Sequence, residues 1–293
     1  MRVFITGGTG SLGRAIIKKF HKKWDITSYS RDELKLSQIE REYPDVNFVI
    51  GDVRDYPALA QAMRGADAVI HAAAMKRIEI CEECPIEAVK TNVFGTENVI
   101  RALLGNGIKK AVVTGSDKGV DPANVYGMTK ALQERIFVAH GFNCVRYGNV
   151  FGSRGSVAPL FAEQARRKAQ LTVTHPDMTR FILTMDDAIN LILFALNSPM
   201  RGDIFIKKSP AARLMDLANA FSDNIKVVGK HRGEKLHEAI INSEESTRLR
   251  KVKGNYVVIG KKAMTAKFNE AHTSDKVALL SDKKIKHLIA KYL

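Results

Sequence analysis

Short apolar runs alternate, along the first half of the chain, with longer stretches whose apolar residues recur every third or fourth position. The runs fall at residues 3–5, 26–29, 46–50, 68–70, 110–114 and 143–147. They are too short for helices and predict strands. After the first run, Ala15, Ile16, Ile17 and Phe20 share one helical face, and similar spacing predicts helices over 32–42, 56–64, 85–104 and 126–140. Continuous apolar strands, most of them followed by an amphipathic helix, fit a parallel sheet covered on both faces. The predicted class is α/β, a Rossmann-type doubly wound parallel sheet.

Beyond Asn149 the rhythm changes. The segment 148–156 is rich in Gly and Ser and reads as a long functional loop. Helices follow at 159–169 and 186–198, then a strand at 203–207, a helix at 215–222 and a last helix at 282–293. These elements predict a Rossmann domain over 1–150, with room for later segments to return to its sheet. A smaller, mixed C-terminal substrate-binding lobe with a basic tail would occupy 151–293.

Composition narrows the setting. At 45% hydrophobic and 26% charged residues the chain has a folded rather than a disordered make-up. Cys81, Cys84 and Cys144 are too few for a disulfide framework, which points to a reducing, cytoplasmic location. Cys81-x-x-Cys84 has metal-ligand spacing but lacks a second pair, so no metal site is expected. The longest apolar stretch, 189–196, is too short to span a bilayer, and the first residues lack the apolar region of a leader peptide. Net charge is 46 − 31 = +15, and residues 201–293 carry 20 − 10 = +10 of it. No motif of interleaved aromatic and basic residues accompanies it, so the charge predicts solvated helix faces rather than a nucleic-acid surface.

Gly7, Gly10 and Gly13, with Thr9, Ser11 and Leu12 among them, lie between the first strand and the first helix. That is the context in which a glycine loop admits a dinucleotide pyrophosphate to a helix N-terminus. The second strand ends in Ser30-Arg31, where an NAD site carries Asp or Glu. A hydroxyl and a guanidinium suit a 2′-phosphate, so NADP is expected in preference to NAD. Asp52 and Val53 are placed for the adenine, and Ala72, Ala73 and Ala74 offer small side chains along the path of the cofactor.

Tyr126 and Lys130 are four apart and face one side of a predicted helix. An ammonium there would ease ionisation of the phenol and could hold a nicotinamide ribose. With the glycine loop and a hydroxyl ten residues upstream, this pair resembles the extended short-chain dehydrogenase/reductases that act on sugar nucleotides. Longer strings narrow the resemblance: Ser30-Arg31-Asp32-Glu33-Leu34-Lys35, Gly51-Asp52-Val53-Arg54-Asp55, His71-Ala72-Ala73-Ala74-Met75-Lys76 and Lys90-Thr91-Asn92-Val93. Arg146-Tyr147-Gly148-Asn149-Val150, Gly152-Ser153-Arg154-Gly155-Ser156-Val157, Met178-Thr179-Arg180-Phe181 and Gly233-Glu234-Lys235-Leu236-His237-Glu238 extend it to about residue 260. All are similar to UDP-N-acetylglucosamine 4,6-dehydratases, in particular the C5-inverting type of polysaccharide and pseudaminic acid biosynthesis.

The resemblance implies roles. Ser116 would hold the reacting hydroxyl and Tyr126 would take its proton. Asp117 would be the acid and Lys118 the base of the elimination, and Lys130 would hold the ribose. Lys76, Asn92, Asn149, Ser156, Val157, Arg180, His231, Arg232 and Glu234 would bind the UDP-N-acetylhexosamine, and a homo-oligomer would be the working form. Two departures stand out. His231 and Arg232 replace an Arg-Pro pair in the 229–235 loop, and Gly115-Ser116-Asp117-Lys118 replaces Ser-Thr-Asp-Lys. A histidine is a weaker diphosphate partner at neutral pH. The alternatives are a UDP-sugar 4-epimerase, which needs Tyr126 but not Asp117-Lys118, and, more remotely, a non-catalytic dinucleotide-fold protein that binds nucleic acid.

Overall fold

The computed structural model describes residues 1–251, 254, 256–260 and 271–293. Six strands, β1 (Arg2–Thr6), β2 (Asp25–Ser30), β3 (Asn47–Ile50), β4 (Ala68–His71), β5 (Lys110–Thr114) and β6 (Asn143–Arg146), lie in the order β3-β2-β1-β4-β5-β6, all parallel. The order reverses between β1 and β4, and the carboxyl ends of the strands at such a switch are where open α/β sheets bind ligands. Both faces are covered, which is why the strands read as unbroken apolar runs. Val3 and Ile5 pack with Ile16 and Ile17 on one side, and Phe4 packs with Leu59 and Leu103 on the other. Burial of each such side chain contributes about 1.5–3 kcal/mol.

The sheet does not end at β6. Ile204–Lys207 joins β6 in parallel, and Tyr256–Ile259 and Leu249–Lys251 extend the edge antiparallel, giving nine strands. The helix Met185–Asn197 also packs on this sheet through Ile189, Leu191 and Ile192. The second lobe is built from Ala211–Arg213, Thr179–Leu183 and Asn149–Val150 in one small sheet, and from Leu171–Val173 paired with Ile225–Val227 in another. Phe161, Leu171, Met178, Leu217 and Ile285 form its core.

One element differs from its expected form. In place of a continuous helix over 85–104, helices Pro85–Val89 and Gly95–Gly105 flank a π-helical turn at Lys90–Phe94. Asn92, fully buried in that turn, accepts from the Met75 N–H at 2.8 Å and donates to the Met75 carbonyl and Thr129 Oγ1, both at 2.9 Å. The wide turn aims Asn92 into the interior, a use to which π turns are often put near functional sites.

Candidate active site

The glycine loop is pressed against the segment that follows β4. Gly7 has φ +73°, and a Cβ there would lie 2.8 Å from the Ala73 nitrogen; at Gly13 it would lie 2.4 Å from Gly8 Cα. Thr6 Oγ1 accepts from the Ala72 and Ala73 N–H groups at 3.2 Å, which holds 72–74 beside the loop. The helix Ser11–Phe20 starts at Gly10 without a side-chain cap, so its first N–H groups are not taken by a capping side chain. Arg154 crosses over from the 148–156 loop. Its N–H donates to Ser11 Oγ at 3.0 Å, its guanidinium to the Thr9 carbonyl, and Lys76 donates to its carbonyl at 2.7 Å.

At the ends of β2 and β3, Ser30 Oγ accepts from the Thr9 N–H at 3.3 Å, and the exposed Arg31 lies 3.6 Å from the Asp52 carboxylate. Arg54 donates to Asp52 from its backbone at 2.9 Å and its guanidinium at 2.6 Å. Partial burial favours the neutral form of Asp52, but the bonds from Arg54 and the charge of Arg31 outweigh it and hold the carboxyl below its usual range. Val53 points into the core, and its carbonyl is taken by Asn98 at 3.0 Å.

Tyr126 opens the helix Val125–Ala139, which Asn124 caps by accepting from the Gly127 N–H at 2.7 Å. A Cβ at Gly127 would come within 2.2 Å of the Lys118 carbonyl oxygen, so glycine lets the helix begin directly against the segment after β5. Tyr126 stands within reach of Ser116 there. Burial raises the phenol's pKa, while the Ser116 bond and the Lys118 charge oppose it.

Asp117 is fully buried. Its Oδ1 accepts from Ser116 Oγ at 3.1 Å and from Lys118 Nζ at 3.0 Å, and its Oδ2 has no hydrogen-bond partner among the described residues. Lys118 Nζ also donates to Asn149 Oδ1 at 3.3 Å and lies 3.5 Å from Glu238. Glu238, 2% exposed, is a group the sequence reading did not single out although it ends a motif that reading quoted. Burial raises Asp117, with Lys118 opposing and Glu238 reinforcing the rise. Burial would raise Glu238 as well, but Lys118, Arg180 and Lys235 together hold it below the usual carboxylate range. Lys118 stays charged: burial works to discharge it, and Asp117 and Glu238 overcome that.

Arg180 braces this corner. Its guanidinium donates to the carbonyls of Thr179 at 2.7 Å, Leu236 at 3.1 Å and Lys235 at 3.0 Å. Lys235 donates to the Val120 carbonyl at 2.6 Å and Asn124 to that of Gly233 at 2.8 Å, which ties the 233–238 loop to the start of helix Val125–Ala139.

Lys130 sits in different company. Its Nζ donates to the Thr114 carbonyl at 2.5 Å and to Gln133 Oε1. Gln133 Nε2 donates to Thr96 Oγ1 at 2.8 Å and lies 3.2 Å from His71 Nε2, and His71 Nδ1 meets Thr6 Oγ1 at 2.7 Å. No carboxylate forms an ion pair with Lys130 among the described residues, and burial lowers its pKa to about 8.

The remaining candidates lie apart from this cluster. Asn92 is turned inward, its amide donors spent on Met75 and Thr129. Ser156 bonds the Ser153 carbonyl at 2.6 Å just before the helix Val157–Arg166, whose first residue, Val157, leans on the second lobe's core. His231 and Arg232 occupy an exposed turn in which Glu234 accepts from the His231 N–H at 2.9 Å and Arg232 lies 3.7 Å from Glu82. No helix among the described residues is long and apolar enough to cross a membrane, and no group of His, Cys, Asp or Glu among them could hold a metal.

A family model described as polysaccharide biosynthesis protein matches residues 3–260. Proteins named UDP-glucose 4-epimerase from Rickettsia akari and Rickettsia canadensis are 40% and 41% identical, each over 96% of this chain and 89% of their own length. The X-ray structure of Pen from Bacillus thuringiensis superimposes with a TM-score of 0.92 at 34% identity, over 99% of this chain and 97% of that one. DesIV, a dTDP-glucose 4,6-dehydratase from Streptomyces venezuelae, shares the fold at 20% identity with a TM-score of 0.75, over 80% of this chain and 87% of its own. The glycine cradle, the Tyr126–Ser116 contact and these likenesses agree, and the chain belongs to the polysaccharide-biosynthesis family of extended short-chain dehydrogenase/reductases.

Proposed function

We propose that the chain is a UDP-N-acetylglucosamine 4,6-dehydratase of the C5-inverting kind, working with bound NADP. The observation that carries this reading is the buried Asp117–Lys118–Glu238 cluster beside Tyr126 and Ser116. A 4-epimerase needs a hydroxyl and a phenol at C4, and has no use for an acid and a base directed at the next two carbons.

The residues suit a dinucleotide. Gly7, Thr9, Gly10, Ser11, Leu12 and Gly13 form a cradle in which a Cβ at Gly7 would strike Ala73, ahead of a helix start with no side-chain cap. Ser30 and Arg31 would meet a 2′-phosphate, which favours NADP, although DesIV was solved with NAD. Lys130 would hold the nicotinamide ribose. When bound, the cofactor supplies the acceptor and then the donor of one hydride.

Tyr126, a neutral phenol at rest, first gives its proton to solvent and as the phenolate takes the proton of the 4-hydroxyl while Ser116 bonds the same oxygen. The resulting 4-ketone acidifies the C5 proton. Lys118, charged at rest, first gives its own proton to solvent and as the free amine takes the one from C5, and Asp117 gives its proton to the 6-hydroxyl, which leaves as water. Protonation of C5 on the other face then completes the inversion. Asn149 steadies Lys118, and the exposed His231 and Arg232 are the groups offered to the diphosphate, whose binding energy would orient the sugar.

The test is incubation with UDP-N-acetylglucosamine in deuterated water, read by mass spectrometry and proton NMR. Loss of one water with deuterium at C5 is expected, and the coupling at C5 reports the inversion. The names of the 40%-identical relatives favour a second reading, a UDP-glucose 4-epimerase. Unchanged mass with an altered C4 configuration would establish that instead. Ile86, Phe94, Leu104, Met128 and Leu132 are exposed on neighbouring helices and support a homo-oligomer, checked by sedimentation equilibrium.

A further inference from the structure

The cluster beside Tyr126 holds one more carboxylate than an acid and a base require. Glu238 lies far along the chain from Lys118, yet its Oε1 is 3.5 Å from Lys118 Nζ and 4.0 Å from Arg180 Nε, and its Oε2 is 3.5 Å from Lys235 Nζ. Its position is fixed from behind. The Glu238 N–H donates to Ser274 Oγ at 2.9 Å, and that hydroxyl meets Thr179 Oγ1 at 2.7 Å. Asp117, by contrast, forms an ion pair with Lys118 alone among the described residues, and its Oδ2 faces Gly148, where a Cβ would lie 3.1 Å away.

Charge balance decides what Glu238 can be. Lys118, Arg180 and Lys235 bring three cations, and Asp117 and Glu238 bring two carboxylates. If Asp117 is to deliver a proton it must rest in the neutral form, which leaves Glu238 as the anion of the corner. A buried ammonium with no anion beside it would discharge, and an unpaired buried guanidinium is costly. We propose that Glu238 is a positioning residue, the standing counter-charge of Lys118, Arg180 and Lys235, and that it thereby leaves Asp117 free to hold the proton that departs with the C6 hydroxyl. The proposal rests on the dehydratase reading. The opposed directions of the two carboxyls, Asp117 raised by burial and Glu238 held down by its three cations, agree with it. Among the described residues the other groups facing the pair are Ser116, Tyr126 and Asn149, none of which carries a charge that could replace Glu238.

In the elimination, Lys118 first gives its own proton to solvent; the C5–H bond then breaks and its proton goes to the free amine, restoring the ammonium that Glu238 faces, while its electron pair becomes the C5–C6 double bond. The C6–O bond breaks, and the hydroxyl leaves as water with the proton of Asp117. Glu238→Gln keeps the shape and removes the charge, so Asp117 becomes the only anion among three cations and ionises. The acid is then lost while proton abstraction at C5 persists.

The experiment compares C5 deuterium exchange with water loss in wild type and Glu238→Gln, using UDP-N-acetylglucosamine in deuterated water. Water loss is expected to fall at least ~10²-fold, with exchange falling less than about tenfold. Glu238→Asp, which keeps the charge but withdraws it, should show the same ordering with a smaller loss. The carbon-13 carboxyl resonance of Asp117 in the ligand-free protein, assigned by its disappearance in Asp117→Asn, should report a neutral acid in wild type and a carboxylate in Glu238→Gln. Equal losses of exchange and water loss with an unmoved resonance would reduce Glu238 to a structural brace and overturn the proposal. A wild type that neither exchanges nor dehydrates would sink the dehydratase reading, and the carboxyl resonance would still decide whether Glu238 carries the charge.

Discussion

Lys118 and Lys130 flank Tyr126 along the chain, both largely withdrawn from water, and their surroundings push them in opposite directions. Lys118 is met by Asp117 and Glu238 and keeps its proton against burial. Lys130 is met by a carbonyl, an amide, and behind them a neutral histidine and a threonine, and burial brings it down to about 8. Depth alone therefore does not assign a lysine its task. What decides is whether a carboxylate forms an ion pair with it. On the reading proposed above, the first pocket stores and moves protons and the second offers a cation whose charge is easily tuned.

The harshest way to break this comparison is Lys118→Ala. It should lower water loss by about 10³-fold or more while the protein remains folded by circular dichroism; retained C5 exchange would show that the division between the lysines is wrong. A gentler change sharpens it by giving Lys130 the partner it lacks. Gln133→Glu should raise the Lys130 pKa from about 8 by roughly 1–2 units, read from the carbon-13 shift of the lysine carbon next to Nζ.

The third test uses His71, whose pKa burial lowers from 6.5 to about 3. The unfolded chain takes up a proton as pH falls through 6.5 and the folded one does not until about 3. Stability is therefore lost across that window as pH falls, by at most about 1.4 kcal/mol per pH unit from this group. His71→Asn should flatten the acid limb of thermal stability relative to wild type, and an unchanged slope would refute the assignment. The smallest effect belongs to Arg31, on the proposed reading the partner of a 2′-phosphate. Arg31→Ala should weaken NADP relative to NAD by about tenfold, equivalent to ~1.4 kcal/mol, measured by quenching of intrinsic fluorescence.

Much of the first lobe was legible because each strand is buried on both faces and each helix on one. Residues 110–114 were placed as a strand to the residue, and Asp32, the first residue of the predicted helix 32–42, stands one position outside the observed helix Glu33–Glu42 because its side chain caps it. The π turn escaped, since nothing in the apolar spacing of 85–104 records that Asn92 must turn inward to hold Met75. Ser116, Asp117, Lys118 and Tyr126 were legible as a group because strand, loop and helix follow one another in the chain. Glu238 and Arg154 were not, because each enters the site by a long-range return. The first signal available for Glu238 was its place in the 233–238 string, whose acidic end could have been asked what it opposes. For Gln133 and Thr96 the sequence offered no signal, as both read as ordinary positions on helix faces.

The strand Ile204–Lys207 has a consequence for how the protein is made. It pairs with β6, and it arrives some sixty residues later in the chain. At roughly 5–20 residues per second of synthesis, the β6 edge therefore stands without its neighbour for several seconds on the ribosome. An unpaired strand edge is a template for unwanted pairing. Helix Met185–Asn197, which precedes Ile204–Lys207 and packs on the same sheet, reaches that region first. Translation pauses placed after residue 207 would let the edge close before the remaining chain emerges, and pauses placed just before residue 185 would prolong its exposure.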